Sequence, residues 1–310
     1  MKDLRDCATA WTRTPDETDE DTVLPQCFFV TDLHGSLDRF ERLFERILRE
    51  VPHALFLGGD LLPGGLVTGR SLDVSHRDFV NDYLARRFQR LKQELHTSYP
   101  EVFVILGNDD PRFLEPSMMD VATRGLWHYA HNRRIRWDRW LVYGYNFVPP
   151  TPFMNKDWER YDVSRYVDPG SVSPEEGGRS VPVSDYERKY MTIAKDLQNL
   201  TAEDDLSRAI MLFHSPPYKT KLDRAALDGK MIDHVPLDVH VGSVAIKNLI
   251  EERGPRVTLH GHVHESTRLT GAWQEQIGDT MAMSAVHDGP ELCLVRFNPE
   301  CPTEATRTLL

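Results

Sequence analysis

The sequence has no Cys-x-x-Cys pair: its four cysteines, Cys7, Cys27, Cys293 and Cys301, are scattered along the chain. That spacing excludes a zinc ribbon or a disulfide framework and points to a reducing compartment. No apolar run approaches the ~20 residues needed to cross a bilayer. The N-terminus begins Met1-Lys2-Asp3-Leu4-Arg5-Asp6 and leads into an acidic tract at Asp16–Asp21 without an apolar core, so it does not read as a signal peptide. The expected location is cytoplasmic. Basic charge is also in short supply, with 37 Lys and Arg against 48 Asp and Glu, a formal net charge of −11. Broad binding to nucleic acid or to an anionic membrane needs a concentrated basic footprint, so neither partner is expected. Nor is there a Gly-x-Ser-x-Gly elbow to suggest a covalent nucleophile.

What is present suits a packed domain. With 40% hydrophobic and 27% charged residues over 310 positions, the chain can bury one large α/β core or two small ones, and no linker or internal repeat divides it. Residues 1–24 are expected to be an acidic, mobile lead-in, 25–300 a single body with a loop insertion near 145–183, and 301–310 a C-terminal tail. Short continuous apolar runs at Cys27–Val30, Ala54–Leu57, Val102–Leu106, Trp140–Tyr143, Ala209–Phe213 and Val257–Leu259 predict buried strands. Between them lie helical patterns. Ser36 caps a helix with Phe40, Leu43, Phe44, Ile47 and Leu48 on one face, and Val80, Leu84, Phe88, Leu91 and Leu95 mark a second after a Gly/Pro-rich loop. Ser184-Asp185-Tyr186-Glu187 is a capping box opening a helix with Tyr190, Ile193, Leu197 and Leu200, and a further helix carries Ile246, Leu249 and Ile250. Antiparallel strands are expected near Ser266–Thr270, Thr280–Ala285 and Leu292–Phe297. The Pro- and aromatic-rich stretch 145–183 is expected to form an ordered rim. Strands alternating with helices predict an α/β architecture with a largely parallel core.

Five of the apolar runs end in residues of metal-ligand type: Asp32 and His34, Asp60, Asn108, His214, and the pair His262 and His264. His262 and His264 are two apart, so on an extended segment they face the same side. Singly, each has an ordinary explanation as a turn residue, a cap or a core histidine. Five such tips are harder to explain separately, because open α/β sheets gather ligands at the carboxyl ends of their strands. Carboxylate, amide and imidazole without thiolate suit Mn²⁺, Fe²⁺ or Zn²⁺. Seven such groups suffice for two divalent ions sharing one bridging carboxylate, the apparatus of in-line displacement at phosphorus.

Asp-x-His, Gly-Asp, Gly-Asn, a lone His and Gly-His-x-His, in this order, resemble the motif set of the calcineurin-like metallophosphoesterases over roughly residues 26–297. Leu259–Ser266, His214-Ser215-Pro216-Pro217-Tyr218 and the Pro-Thr-Pro-Phe segment at 150–153 are similar to the bacterial Icc-related branch. The resemblance implies a four-layer αββα sandwich, two central mixed β-sheets flanked by helices. It implies one metal on Asp32, His34, Asp60 and His264, and a second on Asp60, Asn108, His214 and His262, with Asp60 as the bridge. Asn108, Asp109 and His214 are the catalytic candidates.

The sequence departs from the family at Asp109, where many members carry a histidine that contacts the phosphate or protonates the leaving group. A carboxylate offers no cation there, and as a general acid it needs a raised pKa. His128, His131 and His287 are candidate replacements. The expected activity is dinuclear metal-dependent hydrolysis of a small phosphodiester by metal-bound hydroxide. A monoesterase of the same mechanism, or a metal-binding scaffold with little activity, is the alternative.

Overall fold

Within each apolar run alternate residues belong to different cores. Phe28 and Val30 pack with the helices, whereas Cys27 and Phe29 pack into a second cluster with residues of distant strands. Both faces of the strand are therefore covered, which is why the run is continuously apolar. The computed structural model describes residues 26–64 and 78–310. The acidic lead-in at 1–24 and most of the Gly/Pro-rich loop ahead of the second helix lie outside the described residues.

In chain order the strands are β1 (Cys27–Val30), β2 (Ala54–Gly58), β3 (Glu101–Ile105), β4 (His128–Tyr129), β5 (Arg133–Trp137), β6 (Trp140–Tyr145) and β7 (Ala209–Phe213). They continue with β8 (Met231–Ile232), β9 (Val235–Pro236), β10 (Val257–His260), β11 (Gln274–Ile277), β12 (Thr280–Ser284), β13 (Cys293–Phe297) and β14 (Thr306–Leu309). One six-stranded sheet has the order β14-β13-β1-β2-β3-β4 and the other β11-β12-β10-β7-β6-β5, while β8 and β9 form a separate hairpin. Strands β1, β2, β3 and β4 run parallel, with β4 at one edge of the first sheet, as do β6, β7, β10 and β12. Antiparallel strands close the other edge of the first sheet and both edges of the second. Phe29, Phe56, Phe103 and Ile105 of the first sheet meet Val142, Ile210, Leu212 and Leu259 of the second between the layers. Helix α1 (Leu37–Glu50) covers the outer face of the first sheet through Phe40, Leu43 and Phe44. The architecture is the expected sandwich of two mixed sheets flanked by helices.

Several local expectations are corrected. Ser266–Thr270 is not a strand but a short helix, α7, because the Thr270 hydroxyl bonds the Ser266 carbonyl at 2.8 Å and Gly271, at φ 72°, closes the turn. The helix begun by Ser184 breaks at Thr192, giving α4 (Asp185–Tyr190) and α5 (Ile193–Thr201). Thr192 caps the second piece, and its neighbour Ile193 donates its N–H to the Tyr161 carbonyl at 2.8 Å. The second helix starts as a wide turn at Phe79–Ala85 before becoming regular at α2 (Arg86–Leu95). Residues 301–310, read as a tail, supply β14, whose register with β13 runs from Cys293↔Leu309 to Arg296↔Thr306. The helix with Ile246, Leu249 and Ile250 is α6 (Val244–Arg253).

The stretch 146–183 carries no helix or extended strand, yet it is tied together by paired backbone bonds, Val148 with Glu159 and Asn155 with Gly178. Inside it Lys156 and Glu159 are both buried and paired, and Glu159 also accepts from the Thr151 N–H at 2.7 Å. No helix among the described residues is long and apolar enough to cross a membrane. Cys27 and Cys293 are buried free thiols.

One surface pair locks α1 onto β13: Arg296 grips Glu50 with Nε and Nη2 at 2.7 and 2.8 Å. The guanidinium holds the Glu50 carboxyl below its ordinary value. A depressed folded-state value adds stability above the unfolded pKa of about 4.3, and this stability is lost as pH falls through the lower folded value. Glu50→Gln is therefore expected to melt slightly below the wild type near neutrality, by about 1 kcal/mol, because the pair is only partly buried and solvent still screens it. Melting curves should converge as pH drops below about 4; a gap that is constant with pH would exclude this role for the pair.

Candidate functional site

The parallel strands β1, β2, β3, β7 and β10 all end at one edge of the sandwich, and the residues that follow them converge there. Asp32 and His34 follow β1, Asp60 follows β2, Asn108 and Asp109 follow β3, His214 follows β7, and His262 and His264 follow β10. Asp32, His34, Asp60 and His262 have left-handed backbones, with φ of 56°, 47°, 50° and 76°. Such conformations cost on the order of 1 kcal/mol each for a residue with a Cβ and persist only where the surroundings enforce them. Here the reversal at each strand end turns the side chain back over the sheet edge. Asp32 N–H bonds the Gly59 carbonyl at 2.9 Å, and His34 N–H the Asp60 carbonyl at 2.8 Å, so the first two tips fix each other.

Two groups of side chains meet. In the first, His264 Nε2 lies 3.0 Å from Asp32 Oδ1 and 3.2 Å from His34 Nε2. In the second, His214 Nε2 lies 3.2 Å from Asp60 Oδ2 and 3.0 Å from Asn108 Oδ1. The His262 ring stands against His214 with 5.3 Å between centroids, and its backbone N–H points at both Asp32 oxygens at 3.2 Å. Three sets have ligand atoms within 4.8 Å of one another: Asp32–His34–His264, Asp32–Asp60–His214 and His34–Asp60–Asp109. Five of the seven metal-ligand candidates, Asp32, His34, Asp60, His214 and His264, fall in these sets together with Asp109, while Asn108 reaches them through His214 and His262 joins none of them, standing behind with its ring against His214. Space is tight around them. A Cβ on Gly107 would lie 2.2 Å from Asp60 Oδ1, and one on Gly261 would lie 2.6 Å from Asp32 Oδ2. Only glycine lets these two turns approach the carboxylates.

Protonation follows from the pairing. Burial opposes ionisation of Asp32 and Asp60, but the imidazoles beside them outweigh it and hold both carboxyls below the ordinary range. The reciprocal effect raises His214 to about 10 and His264 to about 9, against burial. His262, buried and next to the His214 cation, falls to about 4. Without a bound cation the edge therefore behaves as two carboxylate–imidazolium pairs. Divalent ions compete with the two imidazole protons, so their uptake weakens as pH falls.

Asp109 stands at the rim of this group, its side chain 44% exposed. Its N–H donates to Asp60 Oδ1 at 2.8 Å, Asn108 Nδ2 donates to its Oδ1 at 3.0 Å, and its Oδ2 is 3.8 Å from His34 Nδ1. Burial and the Asp60 charge push its carboxyl above the ordinary value. Of the three histidines considered as replacements, two sit elsewhere. His128 bonds Glu101 at 2.8 Å, at the opposite end of β3 from Asn108. His131 is enclosed by Tyr145, Phe147 and Trp158, where burial lowers it to about 3 and leaves it neutral. His287 lies beyond the end of β12, on the site's edge, in a loop that Arg39 joins to the Asp32 carbonyl. Its Nε2 contacts Glu291 at 2.8 Å.

Two supporting residues escape a reading of the sequence. Asp110, fully buried, accepts the N–H groups of Leu61, Leu62 and Gly107 at 3.1, 2.7 and 2.9 Å. It ties the loop after β2 to the loop after β3. His260, also fully buried, bonds the Ser215 carbonyl through Nδ1 at 2.9 Å and the Thr258 hydroxyl through Nε2 at 2.8 Å. Its ring joins the ends of β7 and β10, and burial lowers its pKa to about 4. A signal existed for His260, an apolar run that ends in histidine rather than beginning a turn with it. None singled out Asp110 from its acidic neighbour.

Against known proteins, a sequence model of the calcineurin-like phosphoesterases matches residues 27–266. One solved structure aligns over 93% of this chain and 99% of its own, at 15% identity and a TM-score of 0.56. TT1561 of Thermus thermophilus aligns over 92% of this chain and 99% of its own, at 16% identity and a TM-score of 0.51. Phosphopantetheinyl hydrolase of Mycobacterium tuberculosis aligns over 85% and 90%, at 12% identity and a TM-score of 0.48. No curated protein matches the chain. At such identities the solved structures speak for the shared fold alone. The family match spans most of the body and all five strand tips, and the chain belongs to the calcineurin-like phosphoesterases.

Proposed function

We propose that this chain is a dinuclear metal-dependent hydrolase of small phosphodiesters. The observation that carries the reading is the convergence of Asp32, His34, Asp60, His214 and His264 at one sheet edge, with Asp60 common to a set containing His214 and one containing His34. A bridging carboxylate must occupy such a position. One ion would be held by Asp32, His34, Asp60 and His264, the other by Asp60, Asn108, His214 and His262. The donor set, free of thiolate, suits Mn²⁺, Fe²⁺ or Zn²⁺. Two such ions when bound lower the pKa of water and offset charge on the phosphoryl oxygens.

The residues of the chain do the positioning. Asp60 fixes His214 and Asp32 fixes His264 by charge, and Gly107 and Gly261 leave room for the carboxylates to turn inward. Asp109 would serve as the proton donor to the leaving oxygen, and burial with the Asp60 charge shifts its carboxyl upward, the direction that role requires. Without a cationic side chain at that position, a doubly charged monoester loses more than a singly charged diester. The acidic chain and the free thiols agree with a small substrate and a cytoplasmic setting.

The test is hydrolysis of bis-p-nitrophenyl phosphate and p-nitrophenyl phosphate by chelator-stripped protein, with and without Mn²⁺. Metal-dependent turnover with the diester preferred is expected, and Asp109→His should shift the ratio toward the monoester by roughly tenfold or more. No turnover of either ester by protein holding two ions would favour a scaffold. A fall in both activities in Asp109→His would make Asp109 an acid that histidine cannot replace.

A further inference from the structure

The insertion, helix α4 after it and the turn after β3 bring together a group of arginines that the reaction above does not use. A pocket of about 420 Å³ is lined by Arg179, Ser180, Val183 and Arg188 among others. A narrow cleft shares Arg179 and Arg188 with it and reaches inward to Arg112 and Arg160. The inner pair is neutralised: Glu187 contacts Arg112 at 3.2 Å and Arg160 at 2.8 Å, and Asp196 also binds Arg160. The outer pair is not. Arg179 is half-buried and donates to the Pro174 carbonyl at 2.7 Å, but no carboxylate among the described residues comes within ion-pair distance of it. Arg188 has a single carboxylate partner, Asp185, whose side chain is 74% exposed, and its buried Nε has no acceptor.

Taking a guanidinium out of water beside two others is unfavourable unless an anion accompanies it. Burial, together with the charges of Arg188 and Arg112, depresses Arg179 below its ordinary value even though Glu187 lies close enough to oppose the shift. An oxyanion in the pocket would accept from Arg179, from Arg188 Nε and from the neighbouring planar forks in the bidentate manner that arginine favours. The pocket also connects to the metal-ligand edge. Asn155 donates from Nδ2 to the Asn108 carbonyl at 3.2 Å, and Asn155 pairs through its backbone with Gly178, next to Arg179. The Asp157 carboxylate accepts from Arg112 N–H at 2.9 Å and from Ser180 N–H at 2.7 Å. One stretch of backbone thus fixes both the pocket wall and the turn that carries Asn108.

We propose that Arg179 and Arg188 form an anion-binding site that takes a phosphate or carboxylate group, borne by the substrate or free in solution. Calorimetric titration of the full chain with inorganic phosphate tests it, comparing wild type with Arg179→Gln/Arg188→Gln. The metal centre is common to both, so the difference between them reports the arginines. Affinity is expected to fall about tenfold or more in the double variant. Arg179→Gln alone serves if the double variant does not fold. Equal affinity and stoichiometry in wild type and variant, or no saturable binding by the wild type, overturns the site. The source of the anion comes from KM values for a dinucleoside monophosphate, a phosphodiester, with and without a 5′-phosphate. A lower KM for the 5′-phosphorylated diester that disappears in the variant assigns the group to the substrate. An unchanged KM ratio with weakened phosphate binding assigns it to a free anion. If neither these diesters nor bis-p-nitrophenyl phosphate is hydrolysed, the phosphodiesterase reading falls while the titration still decides the arginine site.

Discussion

Asp60→Ala is expected to lose both metal ions and to reduce turnover by roughly 10²-fold to 10³-fold or more, the scale of removing a principal electrostatic group from a transition state. The expectation follows from position. Asp60 stands between the two ligand groups, with Oδ2 3.2 Å from His214 and Oδ1 accepting from the Asp109 backbone at 2.8 Å. Without its charge, His214 loses the partner chiefly responsible for raising it to about 10, and neither ion retains the oxygen it shares with the other. Asn108→Ala removes an oxygen from one group only, so it should leave one ion bound. Metal content by mass spectrometry, read together with melting temperature, separates loss of ligand from loss of fold. Asp60→Asn, which keeps the acceptor for Asp109 N–H, should show the same metal loss with little unfolding. Two ions per chain and full activity in Asp60→Ala would falsify the bridging assignment.

The candidate ligands could be picked out because each lies within a few residues of the end of a continuously apolar run, and a strand buried on both faces can be read without an alignment. The conformation that makes the set work was not. Asp32, His34, Asp60 and His262 all adopt left-handed backbones; Asp and His enter this region more often than most residues with a Cβ, yet still seldom, so residue type alone does not announce the turn. Tertiary bonds impose it, such as Asp32 N–H to Gly59 and His34 N–H to Asp60. The misread elements have the same origin. Ser266–Thr270 has the β-branched content of a strand, but Gly271 and the Thr270 hydroxyl close a helical turn. The break at Thr192 answers to Tyr161, some thirty residues away. Strand β14 alternates without burying much, so only its pairing with β13 reveals it.

Asp110 carries the other large expectation. Removing its side chain in Asp110→Ala leaves the N–H groups of Leu61, Leu62 and Gly107 without their acceptor in a fully buried position. Each unsatisfied buried donor costs about 1–3 kcal/mol, and partial entry of water should limit the sum to roughly 3–5 kcal/mol, a fall in melting temperature of about 10 °C. Asp110→Asn should be poorly tolerated as well. Oδ1 accepts from Leu62 and Oδ2 from Leu61 and Gly107, so whichever oxygen becomes an amide nitrogen meets at least one donor head-on. Burial and the Asp60 carboxylate raise Asp110 to about 8, which identifies it as a group kept in place despite its electrostatic cost. Its three bonds hold the turns that present Asp60 and Asn108, so metal affinity should fall with stability, by the 10-fold to 100-fold typical of groups that orient ligands. Thermal melting and metal titration on the same preparations decide the matter. A variant that melts within a degree or two of the wild type would show that water or a backbone shift supplies the three acceptors, and that the two strand tips are fixed by the sheet alone.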